Sequence, residues 1–170
     1  GTTGEVDLDG GSTWNAGDDI VVGFWGHGDL TIAGASQVTT GEMYIGGATF
    51  EMVAAEGQEY DADLVPDGTG VVTVTGDSTL TVQEFFTLYV GYAGTGELNI
   101  EDSGQVTTNS AVIGGGPDVS GTISLNDGSM TVDQGMIVGA WGQGDVTLAN
   151  GSSVTTSDLY VGGFDATTTD

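Results

Sequence analysis

The stretch LYVGYAGTGELNI, residues 88–100, returns as IVVGFWGHGDLTI at 20–32 and as MIVGAWGQGDVTL at 136–148. Each copy is an alternating apolar run, a glycine-flanked corner with an aromatic residue, a Gly followed by an acid, and a second alternating run. Alternation with a period of two is the mark of a half-buried strand. The unit is therefore strand, corner, strand, and its recurrence matters more for the fold than the propensity of any one residue.

Working outward, the opening Gly of the unit recurs at Gly4, Gly28, Gly70, Gly96, Gly121 and Gly144, and a closing Gly at Gly23, Gly46, Gly91, Gly114, Gly139 and Gly162. Six units of about 18 to 21 residues emerge. Segment 47–69, with its acids and Pro66, interrupts the series as a degenerate rung or an inserted loop.

Three short alternating runs fill each unit. The first is Leu98-Asn99-Ile100 and its equivalents, the second Val106-Thr107-Thr108, and the third Leu88-Tyr89-Val90. Flanking residues point inward and the middle residue outward. Three strands per unit, corners of Gly, Asn, Asp and Ser, and no helical periodicity predict an all-β, right-handed parallel β-solenoid (β-helix) with about six to seven rungs, forming a single domain over 1–170. One rung cannot bury its inward Val, Leu, Ile and Met alone. Stacking at about 4.8 Å satisfies the backbone and closes the core.

Composition narrows the function. The 170 residues include 25 Asp plus Glu, no Lys, no Arg, no Cys and one His, a formal net charge of −25. Without cations there is nothing to neutralise phosphates, so nucleic-acid binding has no physical basis, and anionic membranes repel the chain. No apolar run is long enough to span a bilayer, so no membrane insertion is expected. Chemistry that needs a Schiff-base Lys, an Arg clamp or a thiolate is excluded by absence of the groups. No pair of acids stands apart as a hydrolase dyad, and His27 lies in a turn between glycines as a solvated imidazole. The expectation is a protein that is not an enzyme.

The pattern L/I-x-V-G-x-x-G-x-G-D/E-L-x-I, as in Leu88–Ile100 and Met136–Leu148, resembles the β-strand repeats of type V secretion (autotransporter-like) passenger domains and of PEP-CTERM-associated bacterial surface proteins. The resemblance covers most of the chain. It implies an exported, extracellular or cell-surface solenoid of adhesive or structural role, with no catalytic motif to carry over. The total lack of Lys and Arg departs from that pattern.

Stacked rungs turn outward residues into columns, where function would sit. On the third face the column is Val21, Tyr44, Tyr89, Val112, Ile137 and Tyr160, an apolar stripe facing water and hence an interaction stripe for the 47–69 segment, another rod or sugar rings. Trp25, Tyr92, Trp141 and Phe164 follow the closing Gly as corner aromatics, read as turn plugs before carbohydrate platforms. On the second face Asn15, Thr39, Thr81, Thr107, Thr131 and Thr155 form a ladder. It resembles the arrays of ice-binding solenoids, but one Thr per rung favours a solvated hydroxyl ladder. Oxygen-rich repeats suit calcium, and Asp29, Glu97, Asp145, Asp102 and Asp127 are the candidate ligands; no other cofactor is implied.

Neither end reads as a cap. Joining YVGGFDATTTD to GTTGEVDLDGGS gives a pattern like the internal VIGGGPDVSGTISLNDGS, so the chain is read as a processed or excised portion of a longer repeat, or as a subunit that stacks on itself. The leading expectation is an extracellular structural protein that self-associates end to end into a filament, fibre or stalk. The alternative is an adhesin segment that holds glycans on its exposed aromatic columns.

Overall fold

The structure, a computed structural model, describes residues 1–48 and 68–163. Among these residues the chain forms sixteen strands and no helix. The first rung holds β1 (Thr3–Leu8), β2 (Thr13–Asn15) and β3 (Ile20–Val22), and the second β4 (His27–Ile32), β5 (Gln37–Thr40) and β6 (Met43–Ile45). The third holds β7 (Thr69–Val74), β8 (Thr79–Val82) and β9 (Thr87–Val90), and the fourth β10 (Thr95–Glu101), β11 (Gln105–Thr108) and β12 (Ser110–Ile113). The fifth has β13 (Ser120–Asn126) and β14 (Ser129–Val138), and the sixth β15 (Gln143–Ala149) and β16 (Ser153–Val161).

Every pairing is parallel and joins one rung to the next, giving a β-solenoid of six turns. The first face is a six-stranded sheet in the order β1-β4-β7-β10-β13-β15. The second and third faces are one ten-stranded sheet, because β14 and β16 run through both without a break. Three separate strands per rung therefore hold for the first four turns only. In the fifth rung the corner is absorbed as a bulge between Val132 and Gly135, so the backbone stays extended through the bend.

Inward side chains fill one continuous bore. Leu30, Ile32, Val38, Met43 and Ile45 of the second rung are buried directly against Val72, Val74, Leu80, Leu88 and Val90 of the third, and the pattern repeats to Met136 and Val138. Burial of each such side chain contributes about 1.5–3 kcal/mol, so the stack, rather than any rung, is the stable unit.

Corners explain the polar residues of the repeat. Thr40 and Thr108 are fully buried at the end of the second face, where Thr40 Oγ1 donates to Asp18 O or Glu42 O at 3.0 Å and Thr108 Oγ1 to Ser110 O at 2.8 Å. Thr156 does the same with Asp158 O at 2.8 Å. The Val-Thr-Thr of rungs two, four and six thus ties the next corner, whereas Val82 and Val132 hold that place in rungs three and five. The true repeat is two rungs long.

Between the first and second faces, Asp77, Asp102, Asp127 and Asn150 have φ of 59°, 45°, 58° and 53°. Asp and Asn tolerate this left-handed backbone better than other side chains. Inside the same corner the hydroxyls of Ser36 and Ser78 accept the backbone N–H of Ser12 and Ser36, each at 3.1 Å, and carry the ladder through the bend. The closing Gly91 has φ of 69°, and a Cβ there would run into the carbonyl of Ser120.

Candidate functional site

The third-face column forms as expected. Val21, Tyr44, Tyr89, Val112, Ile137 and Tyr160 are direct partners on successive rungs. It is not a water-facing stripe, however. Tyr44 is buried at 5% exposure, its neighbours in the column are half-buried, and Tyr160 alone is open at 59%. The rings of Tyr44 and Tyr89 stack at 4.8 Å and 13°, and Tyr92 turns back from its corner to meet both edge-on at 5.7 and 4.9 Å. Tyr44 donates its phenol proton to Glu42 Oε2 at 2.6 Å. Burial, followed by that carboxylate, pushes the Tyr44 phenol far above its ordinary range, and burial pushes Tyr89 up as well.

The corner aromatics do not form a column. Tyr92 belongs to the tyrosine cluster. Trp25 leads into the second rung and Trp141 into the sixth, so four rung spacings, about 19 Å, separate them. Trp25 is 43% exposed with Phe24 edge-on at 5.4 Å, and Trp141 is 55% exposed. Phe164 and residues 49–67, the bulk of the segment read as a degenerate rung or loop, lie outside the described residues.

Beyond the first two rungs, the acids of the first face alternate with uncharged residues. Along the first face the register runs Glu5, Asp29, Val71, Glu97, Thr122, Asp145, so Asp29, Glu97 and Asp145 are parted by Val or Thr. Asp102 and Asp127 are corner residues chosen by backbone conformation. Among the described residues no three His, Asp or Glu side chains are grouped to hold a metal ion. His27 opens β4, and its Nε2 lies 2.9 Å from Asp29 Oδ2.

The second face carries a feature that the sequence reading left half-seen. Its threonine ladder forms in full register. Beside it runs a second outward column, Thr13, Gln37, Thr79, Gln105, Ser129 and Ser153, so several rungs do present a hydroxyl pair. Gln37 and Gln105 interrupt the pairs on rungs two and four, which breaks the flat regularity an ice lattice demands.

Among the described residues the first and the sixth rung each line an open hollow. At the first rung Val6, Trp14, Ile20 and Val22 line about 480 Å³, with the Trp14 ring packed against the core. At the sixth, Val146, Leu148, Leu159 and Val161 line about 460 Å³. Leu148, Leu159 and Val161 are 47%, 57% and 73% exposed, although their register partners Leu125, Met136 and Val138 are buried.

Neither a protein-family model nor a solved structure matches the chain. It is similar to the uncharacterized protein YuaQ of Escherichia coli (strain K12), at 25% identity over 137 residues and 80% of this chain. The matched stretch is 10% of that protein's length.

Proposed function

We propose that this solenoid is an extracellular structural rod that lengthens by end-to-end stacking of copies into a filament, fibre or stalk. The observation that carries the reading is the sixth rung. Among the described residues β15 and β16 are the last strands of the stack, and their inward Leu148, Leu159 and Val161 stand exposed in the register that the fifth rung buries. An apolar bore end flanked by unpaired backbone groups is a template for one more rung.

The first rung of a second copy supplies the match. Following the register around, Gly4 would lie on Gly144, Val6 on Val146, Leu8 on Leu148, Ile20 on Leu159 and Val22 on Val161. The contact is heterologous and does not close, so growth is linear. A cell-surface setting is supported by the repeat's resemblance to passenger-domain and PEP-CTERM-associated sequences.

Negative-stain microscopy and sedimentation test the reading. Glu5 would meet Asp145 in the joint, so fibres are expected at about 0.15 M salt, where screening reaches within about 8 Å, and short rods at low salt. Leu159→Asp with Val161→Asp should hold the chain as single rods. Single rods of the unaltered chain at high concentration and in salt would sink the proposal.

A further inference from the structure

We infer that the second face is a binding lane for a neutral polysaccharide chain, with Phe85 and Phe86 as its aromatic clamp. The inference stands apart from end stacking, because the lane runs along the side of the rod.

Twelve outward positions make up the lane: Thr13, Gln37, Thr79, Gln105, Ser129 and Ser153 in one column, and Asn15, Thr39, Thr81, Thr107, Thr131 and Thr155 in the other. All twelve are hydroxyl or amide residues, none charged and none apolar. In a chain with 25 acids this is selective, for the first face puts Glu5, Asp7, Asp29, Glu97 and Asp145 among its outward positions. No hydrogen bond joins the twelve side chains to other described residues, so their donors and acceptors face solvent.

The lane is bordered by acids on both corners. Asp9, Asp77, Asp102 and Asp127 lie on one side, and Asp18, Glu42, Glu84, Asp133 and Asp158 on the other. Two such borders repel any polyanion, and a second copy of the chain would bring its own borders against these. The lane between them offers only neutral hydroxyl and amide groups, which pair with the hydroxyls of an uncharged polymer and give a cationic one no carboxylate within the lane itself. The columns are about 6.7 Å apart and the rungs about 4.8 Å, a strip one extended sugar chain wide.

The clamp is an independent observation. Phe85 is 86% exposed and Phe86 41% exposed, at the corner between the second and third faces of the third rung. A turn closed by Phe86 N–H to Gln83 O at 3.2 Å holds Phe85 at φ 73°, a position that favours Gly. A bulky residue kept in a strained, water-facing conformation is a cost without a packing return, and such residues gather at ligand-holding sites. An aromatic face at the lane's edge stacks on a sugar ring while the hydroxyl and amide columns meet its hydroxyls.

Titration calorimetry of the full chain with cellohexaose, chitohexaose and maltohexaose, and with polygalacturonate as the charged arm, decides the matter. Binding of at least one neutral oligosaccharide is expected, unchanged in about 0.5 M salt because no ion pairs are involved. Polygalacturonate should not bind. Thr107→Val with Thr131→Val should weaken binding about ten-fold, as loss of two hydrogen bonds implies. Phe85→Gly should weaken it comparably with no loss of thermal stability, since Gly relaxes the turn. Ser124→Glu, on the first face, should change nothing. Binding of none of the three neutral probes, binding that survives both lane and clamp variants, or loss of a sedimenting dimer in the variants would each overturn the inference, the last by showing a self-association face.

Discussion

Glu5 lies directly opposite Asp29 in the pairing of β1 with β4, two carboxylates in one column on adjacent rungs. Further along the same column Val71 separates Asp29 from Glu97, and Thr122 separates Glu97 from Asp145. Like charges directly opposite on a sheet are destabilising by up to about 1 kcal/mol. Glu5→Thr should therefore raise the melting temperature at low salt, and the gain should vanish near about 1 M salt, where screening acts within about 3 Å. A gain that persists in salt would assign the effect to strand propensity instead.

The tyrosine cluster predicts an alkaline limit to stability. Burial raises the phenol pKa of Tyr44 and Tyr89 in the folded state, while in the unfolded chain they ionise near about pH 10. A raised folded-state pKa means that stability is fully present below the unfolded value and is lost as pH climbs above it. Denaturant midpoints should be flat at neutral pH and fall beyond about pH 10. Spectrophotometric titration should find these phenols ionising above the range of free tyrosine. Tyr44→Phe should flatten the alkaline fall while costing about 1 kcal/mol at neutral pH, because Glu42 loses its 2.6 Å donor.

Ser78 accepts the N–H of Ser36 inside the bore at zero exposure. The same N–H also reaches Ala33 O at 3.2 Å, so Ser78→Ala leaves it a strained local partner rather than none. The expected loss is about 1 kcal/mol. Ser103→Ala, at an exposed corner of the fourth rung, should cost far less in the same urea titration.

These residues show where the sequence was legible and where it was not. Strict alternation within each rung placed the second-face and third-face columns, because a period of two fixes which face each residue takes once rungs stack. Val21 to Tyr160 and Asn15 to Thr155 fell in register for that reason. What alternation cannot report is what a side chain does at a corner. Tyr92 occupies a corner position in sequence yet folds onto Tyr44 and Tyr89. Asp102 and Asp127, candidate calcium ligands, also hold the corner between the first and second faces in a positive-φ turn, which the sequence does not show. The Ser36–Ser78 ladder and the buried Thr40 looked like generic small or polar residues, and only the bend of the backbone gives them partners. The uncharged lane was visible as a threonine column, and the second column was missed because its residues are mixed in type.

Two glycines separate backbone demand from loop convenience. Gly91 closes the third rung with φ 69°, and a Cβ there would meet the Ser120 carbonyl of the fifth rung's first strand, which is backbone and has no room to yield. Gly91→Ala combines left-handed strain with that clash and should cost more than about 2 kcal/mol, enough to shift the urea midpoint substantially. Gly135, in the bulge of β14, has no positive φ, and a Cβ would find nothing within 4 Å. Gly135→Ala removes freedom from the unfolded chain at no native cost, so a gain of about 0.4–1 kcal/mol is expected. If both substitutions cost alike, the fifth-rung bulge would have to be held as tightly as the closing corners. The fusion of the second and third faces through β14 would then be a fixed joint of the rod, and Gly135 part of what fixes it.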